Sequence, residues 1–267
     1  MLASLLGLAP SPAALPELKD PWFGQFLTHT NKKFSFGLNS LAEGKLTPMG
    51  KSGKPINYQM VLPVAFIVEE ILPNGRVVAK KILPDTLASS DAATAKPGKV
   101  SFHGNVTGGA SFEGHVEVEH GVVSVGGRLL DPGTLTKNPL RFGIRVTFPN
   151  AYRSVPQHDK RELKAFEALL KEDRFSMVRS DEKHVKLTGS DKIGPESTGV
   201  NGTGIAELKV AVSAYQGKVF EFAATHHSKM ELWNRLEQAV HQGVVINWYP
   251  DPAQDPDAKA RLQFEVK

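Results

Sequence analysis

No cysteine occurs in the 267 residues. Its absence excludes disulfides, thiolate zinc sites and a thiol nucleophile, and it is compatible with a reducing compartment. Long apolar runs are also missing. No stretch approaches the ~20 apolar residues that cross a bilayer as a helix, so no membrane span is expected. Blocks of one charge sign are absent too. The 32 basic and 28 acidic residues leave a net charge of +4, and the densest charged region, near 159–192, mixes both signs and reads as solvated surface. This excess, with a pI of about 9.1, permits nucleic-acid binding without indicating it. Short catalytic signatures are lacking: there is no Gly-x-Ser-x-Gly elbow, His-Glu-x-x-His, Gly-x-Gly-x-x-Gly opening a helix, or EF-hand loop. A triad assembled by folding needs no such signature. No cofactor is implied.

What is present is ordinary apolar content, 40%, with 24 glycines and 18 prolines. That combination indicates many turns around a core that a chain of this length can bury. The first residues, "MLASLLGLAPSPAALPELKD", hold a short apolar run followed by Ser-Pro-Ala-Ala, without a basic region before the run. An N-terminal arm is therefore expected ahead of a secretion signal, and a cytoplasmic location ahead of a secreted one.

The first half reads as β. Val64–Ile82 is a hairpin candidate, with Asn74-Gly75 as a type I′ turn that places Glu69 opposite Lys80. In 99–148, Val100, Phe102 and Val106 alternate with polar residues, as do Phe112, Val116 and Val118. Pairing Phe102 with Val116 aligns the apolar faces, and a His120-Gly121 turn then pairs Val118 with Val123. Leu140, Phe142, Ile144, Val146 and Phe148 form a further inward face, with Arg141 and Arg145 outward.

Pro149–His158 reads as a linker. It divides 1–150, a mainly antiparallel β domain with the N-terminal arm, from 151–267, an α+β domain. In the second part, Asp159 and Glu162 have capping-box spacing before an apolar stripe at Leu163, Phe166, Leu169 and Leu170. Ser228 and Glu231 suggest another helix start, with Leu232, Trp233, Leu236 and Val240 as its buried face. Strands are expected near 175–179, 184–188, 205–213 and 218–225, followed by "GVVINWY" and "ARLQFEV". The fold class is thus β-rich α+β, mainly antiparallel sheets with two amphipathic helices in the C-terminal half. The glycine-rich Thr188–Gly204 loop is long enough to be functional or mobile. "HGVVSV" and "HQGVVINW", with the Asp-Pro segments that follow each, suggest a weak internal repeat of the closing strands.

Several residues carry possible chemistry. Glu113, His115, Glu117 and Glu119 form a polar comb. With His103 opposite His115, the set His103, His115 and Glu117 could ligate a divalent metal, although the same alternation describes the wet face of a half-buried sheet. His226 and His227, at a strand end before the expected helix, suit an anion or acid/base chemistry. "EGKLTPMGKSGKP" imitates a phosphate loop, but five residues separate Gly44 from Gly50 and Pro48 lies inside it. It reads as a flexible basic loop carrying Lys51 and Lys54. "LRFGIRVTF" departs from an RNA-recognition signature at Ile144, where a second aromatic is required, yet Arg141 and Arg145 share a face and Arg153 lies nearby.

Three functions follow. The preferred one is a non-catalytic binding or assembly subunit presenting hairpins and the glycine-rich loop to a protein partner or to itself. The second is RNA or single-stranded DNA binding through Lys51, Lys54, Arg141, Arg145, Arg153, His226 and His227. The third is a metal-dependent hydrolase using His103, His115 and Glu117.

Overall fold

A computed structural model describes residues 25–57, 59–89, 98–149, 160–234 and 243–267. The strands are β1 (Gln25–Thr30), β2 (Phe34–Asn39), β3 (Glu43–Pro48), β4 (Leu62–Ile71), β5 (Val77–Lys80), β6 (Ile82–Ser89), β7 (Lys99–Val106), β8 (Ser111–Glu119), β9 (Val122–Asp131) and β10 (Leu140–Thr147). Helix α1 (Lys160–Glu172) leads to β11 (Arg174–Arg179) and β12 (His184–Thr188). After α2 (Thr198–Asn201) come β13 (Ile205–Ala211), β14 (Phe220–Ala224), β15 (Ser228–Asn234), β16 (Val244–Pro250) and β17 (Leu262–Val266). The β-rich α+β class is as the alternation in the sequence implies.

All the strands join one curled antiparallel sheet. One arm runs β6-β7-β8-β9-β17-β14-β13, and the other runs β15-β16-β10-β4-β3-β2-β1. The pair Ile205–Met230 bridges the two arms. Alternation sets the inward faces: Phe102, Phe112, Ile144, Trp248 and Phe264 belong to one apolar cluster that draws on strands from β1 to β17. Residue 150 is not marked by a break in that core. Before it, β10 and β9 lie in the first part; both pair with strands of the second, β10 with β16 and β9 with β17.

Three local expectations are corrected. Phe102 lies opposite Gly114, not Val116, and His103 opposite Glu113, not His115. A two-residue slip preserves both faces, so alternation alone does not choose between the registers. Ring volume does: a Cβ at Gly114 would stand 2.5 Å from the Phe102 ring, so the glycine makes room for the phenylalanine. The His120-Gly121 turn forms as expected, with positive φ at both residues and Val118 opposite Val123.

In the β4–β5 hairpin, Val68 and not Glu69 lies opposite Lys80. Asn74 accepts the Arg76 amide with its own side chain at 3.0 Å, and only Gly75 of the two takes positive φ. The loop therefore spans 72–76, and Lys80 pairs with Glu70.

The helix expected from Ser228 is strand β15. It pairs with β16 from Ser228–Pro250 to Asn234–Val244, burying Met230 and Leu232. Helical spacing at Leu232 and Trp233 competed with the two-residue period of Met230, Leu232 and Asn234, and pairing with a neighbouring strand decided the outcome. Leu236 and Val240 lie outside the described residues. The second helix is instead α2, within the glycine-rich segment 188–204. That segment is packed: Ile193 and Asn201 are buried. The Asn201 amide donates to the Gly194 and Leu232 carbonyls at 2.9 and 3.0 Å and accepts from the Leu232 N–H at 2.9 Å.

Candidate functional site

The segment Asp251–Arg261, between β16 and β17, crosses the outward face of β8 and β9. Its two Asp-Pro steps favour turns, and Asp255 closes the segment on itself. Its carboxylate accepts the Lys259 N–H at 2.7 Å and the Ala260 N–H at 2.8 Å. Gly126 permits the close approach, since a Cβ there would meet the Ala260 carbonyl at 2.6 Å. Arg128 fastens the segment to the sheet. Its Nε lies 2.8 Å from a Glu113 oxygen, and its Nη1 donates to the Pro256 carbonyl.

A cavity opens on each side of this clamp. The larger, about 470 Å³, has a floor of Leu129, Leu130, Leu140, Phe142 and three prolines, with Arg128, Arg141 and Asp255 on its rim. Leu130 is 47% exposed. The smaller, about 300 Å³, is where the polar comb resides. Lys99, Ser101, Glu113, His115 and Glu117 face Asp257, Lys259 and Arg261 across it. The Lys259 ammonium, 2.8 Å from Asp257, holds that carboxyl below the usual carboxylate range and is itself raised in turn. Burial lowers Arg261, while Asp255, Glu117 and Glu113 act in the opposite direction.

Within the comb, His115 Nδ1 is 2.9 Å from Ser101 Oγ and Nε2 is 3.5 Å from Glu113 Oε1. The order Ser–His–Glu resembles a nucleophile relay. However, Glu113 is bound more closely by Arg128, which takes up the charge a relay would use to hold an imidazolium. What these groups provide is a set of fixed hydrogen-bond donors and acceptors. Glu117 is 3.6 Å from Lys99, and His103 is exposed on β7. His103, His115 and Glu117 are not gathered as ligands, and no group of three suited to a metal occurs among the described residues.

The other candidate residues are dispersed. Arg141 and Arg145 converge on Glu69, which is 2% exposed, each at 2.9 Å. Arg145 also donates to Asn247 at 2.7 Å, and Arg141 stacks 3.9 Å from the Tyr249 ring centroid. Burial, followed by the Glu69 charge, raises the Tyr249 hydroxyl. These arginines are largely committed within the protein. Lys51 and Lys54 lie beyond the Leu62 end of β4, an end that is itself about 23 Å from Glu69 at ~3.3 Å per residue. They sit in a turn closed by Gly50 N–H donating to the Lys54 carbonyl at 2.8 Å. His226 and His227 occupy the β14–β15 turn and lead into strand β15, not into the expected helix; the His227 ring meets Gln254 at 2.9 Å. Arg153 lies outside the described residues. Arg128, Leu130, Asp255 and Arg261 were not singled out from the sequence. The repeated Asp-Pro steps of "DPAQDPDA" were the available signal.

No family model matches the chain, and no curated protein sequence matches it. Solved structures of the alpha-N-acetylgalactosaminidase NagBb from Bifidobacterium bifidum are similar in fold. The Gal-NHAc-DNJ complex superposes with a TM-score of 0.53 at 10% identity, covering 91% of this chain and 36% of that chain. The GalNAc complex gives 0.52 at 11% identity with the same coverage. This chain therefore spans just over a third of the length of that enzyme. In the described residues no helix is long and apolar enough to cross a membrane.

Proposed function

We propose that this protein is a non-catalytic binding module, that its working surface is the groove along Asp251–Arg261, and that its ligand is a glycan. The observation that carries the reading is the pairing of an apolar floor with a rim of fixed polar groups in the 470 Å³ cavity. A sugar ring has the complementary form, with C–H faces that gain from apolar contact and an edge of hydroxyls that need directed partners. Binding sites generally combine apolar lining with a few placed polar groups in this way. On the other side of the Arg128 clamp, the smaller cavity adds polar groups at His115, Glu117 and Lys259. The fold likeness supports the same direction, since it covers part of an alpha-N-acetylgalactosaminidase solved with GalNAc.

Glycan-array binding of the full chain, combined with a reducing-end release assay on each glycan bound, tests the proposal. Retention of a defined glycan class without release is the expected result. Silence across the array, or turnover abolished by His115→Ala, would refute it.

A further inference from the structure

The outward face of β17 leads from the groove to a second, separate concavity. Arg261, Gln263, Glu265 and Lys267 alternate with buried Leu262, Phe264 and Val266. From Arg261 to Lys267 the line is about 20 Å long at ~3.3 Å per residue. At its far end lies a cavity of about 420 Å³ into which three segments bring a lysine each. Lys51 comes from the β3–β4 connection, Lys218 from the turn before β14, and Lys267 from beyond β17. Their backbones are set by local bonds. Gly50 N–H donates to the Lys54 carbonyl at 2.8 Å, and Lys218 N–H donates to the Tyr215 carbonyl at 3.1 Å, with Gln216 and Gly217 at positive φ between them. Lys267 is partly neutralised, 2.7 Å from Glu265 and 3.8 Å from Glu221. Lys51 and Lys218 form no ion pair among the described residues. Two uncompensated ammonium groups sharing a concavity repel each other, and an oxyanion placed between them removes that repulsion.

We infer that Lys51, Lys218 and Lys267 form a subsite for an oxyanion group, a sulfate, phosphate or carboxylate, carried on an acidic glycan. The glycan part rests on the reading of the groove; the anion part does not. A nucleic acid fits less well. Single strands are held by a long basic track and by aromatic platforms for the bases, whereas among the described residues Ile56 is the main apolar group here and no aromatic ring lines the cavity. Arg141 and Arg145, which would extend a basic track, are bound to Glu69 at the opposite end of β4.

Backbone-amide NMR titrations of the full chain test this, using a sulfated tetrasaccharide, its desulfated counterpart and a deoxythymidine decamer. The sulfated sugar is expected to give saturable shifts at Lys51, Gly217 and Lys218, with affinity falling as salt rises. In the double variant Lys51→Gln/Lys218→Gln, whose changes are on the surface, its affinity is expected to fall by about tenfold or more. Absence of those shifts, unchanged affinity in the double variant, or equal or tighter binding of the decamer would overturn the inference. The desulfated sugar separates the two readings. If it fails to shift the Asp251–Arg261 amides, the groove reading is lost, while the subsite is judged on the sulfated titration alone.

Discussion

Gly114 shows how one absent methyl group sets a register. Phe102 is fully buried against Phe66 and Phe112, with ring centroids 4.9 and 6.3 Å away, so its ring has little freedom to move aside. Gly114→Ala is therefore expected to destabilise the protein by about 1–3 kcal/mol, the cost typical of overpacking, as measured by urea unfolding. A neutral effect would show that the Phe102 ring can shift. Glu70 has a pH signature. Hydrogen bonds from Lys80 and then Asn138 hold its carboxyl below the ordinary glutamate value. A depressed folded-state pKa contributes stability that is present above the unfolded value, about 4.3, and is lost as pH falls through the folded value. Lys80→Met is thus expected to flatten the acid limb of the stability–pH curve below about pH 5 and to leave its shape near neutrality unchanged. An unaltered acid limb would assign that loss to other carboxyls.

At the scale of elements, the packed segment 188–204 depends on one side chain. Asn201 ties α2 to β15 through both its amide and its carbonyl. Asn201→Ala would leave the buried Leu232 N–H and carbonyl without the partners Asn201 supplies, while the Gly194 carbonyl keeps the Ser197 N–H, at a cost of about 2–4 kcal/mol. Limited proteolysis is expected to cut first within 188–204; cleavage elsewhere first would mean that the segment is held by other contacts. The sequence made most strands legible because their inward residues recur every second position, as in β10 and β17. It left β15 unreadable because Leu232 and Trp233 satisfy a helical stripe equally well, and the strand that settles the matter, β16, pairs with it only in the folded chain. The comb at Glu113–Glu117 was visible from the start. Its opposite wall, Asp257, Lys259 and Arg261, was not, because nothing local states that the β16–β17 segment folds back over β8 and β9.

For the whole molecule, the pairings of β10 with β4 and β16, and of β9 with β17, link segments far apart in sequence into one core. Ile144, fully buried between β4 and β16, is a fitting probe. Ile144→Ala is expected to cost about 3–4 kcal/mol, with Trp fluorescence and far-UV circular dichroism shifting together in a single transition. Two separated transitions would show instead that the parts before and after residue 150 unfold independently.

The central claim is that the apolar-floored groove along Asp251–Arg261 holds a glycan. Leu130 lines that groove and is exposed enough for its replacement to leave the fold intact. The most direct test is calorimetric titration of wild type and Leu130→Asp with the tightest glycan found on the array. A glycan-binding groove requires saturable binding by the wild type and a loss of about tenfold or more in the variant at unchanged thermal stability. Equal affinity of the two proteins would place the ligand elsewhere and contradict the claim.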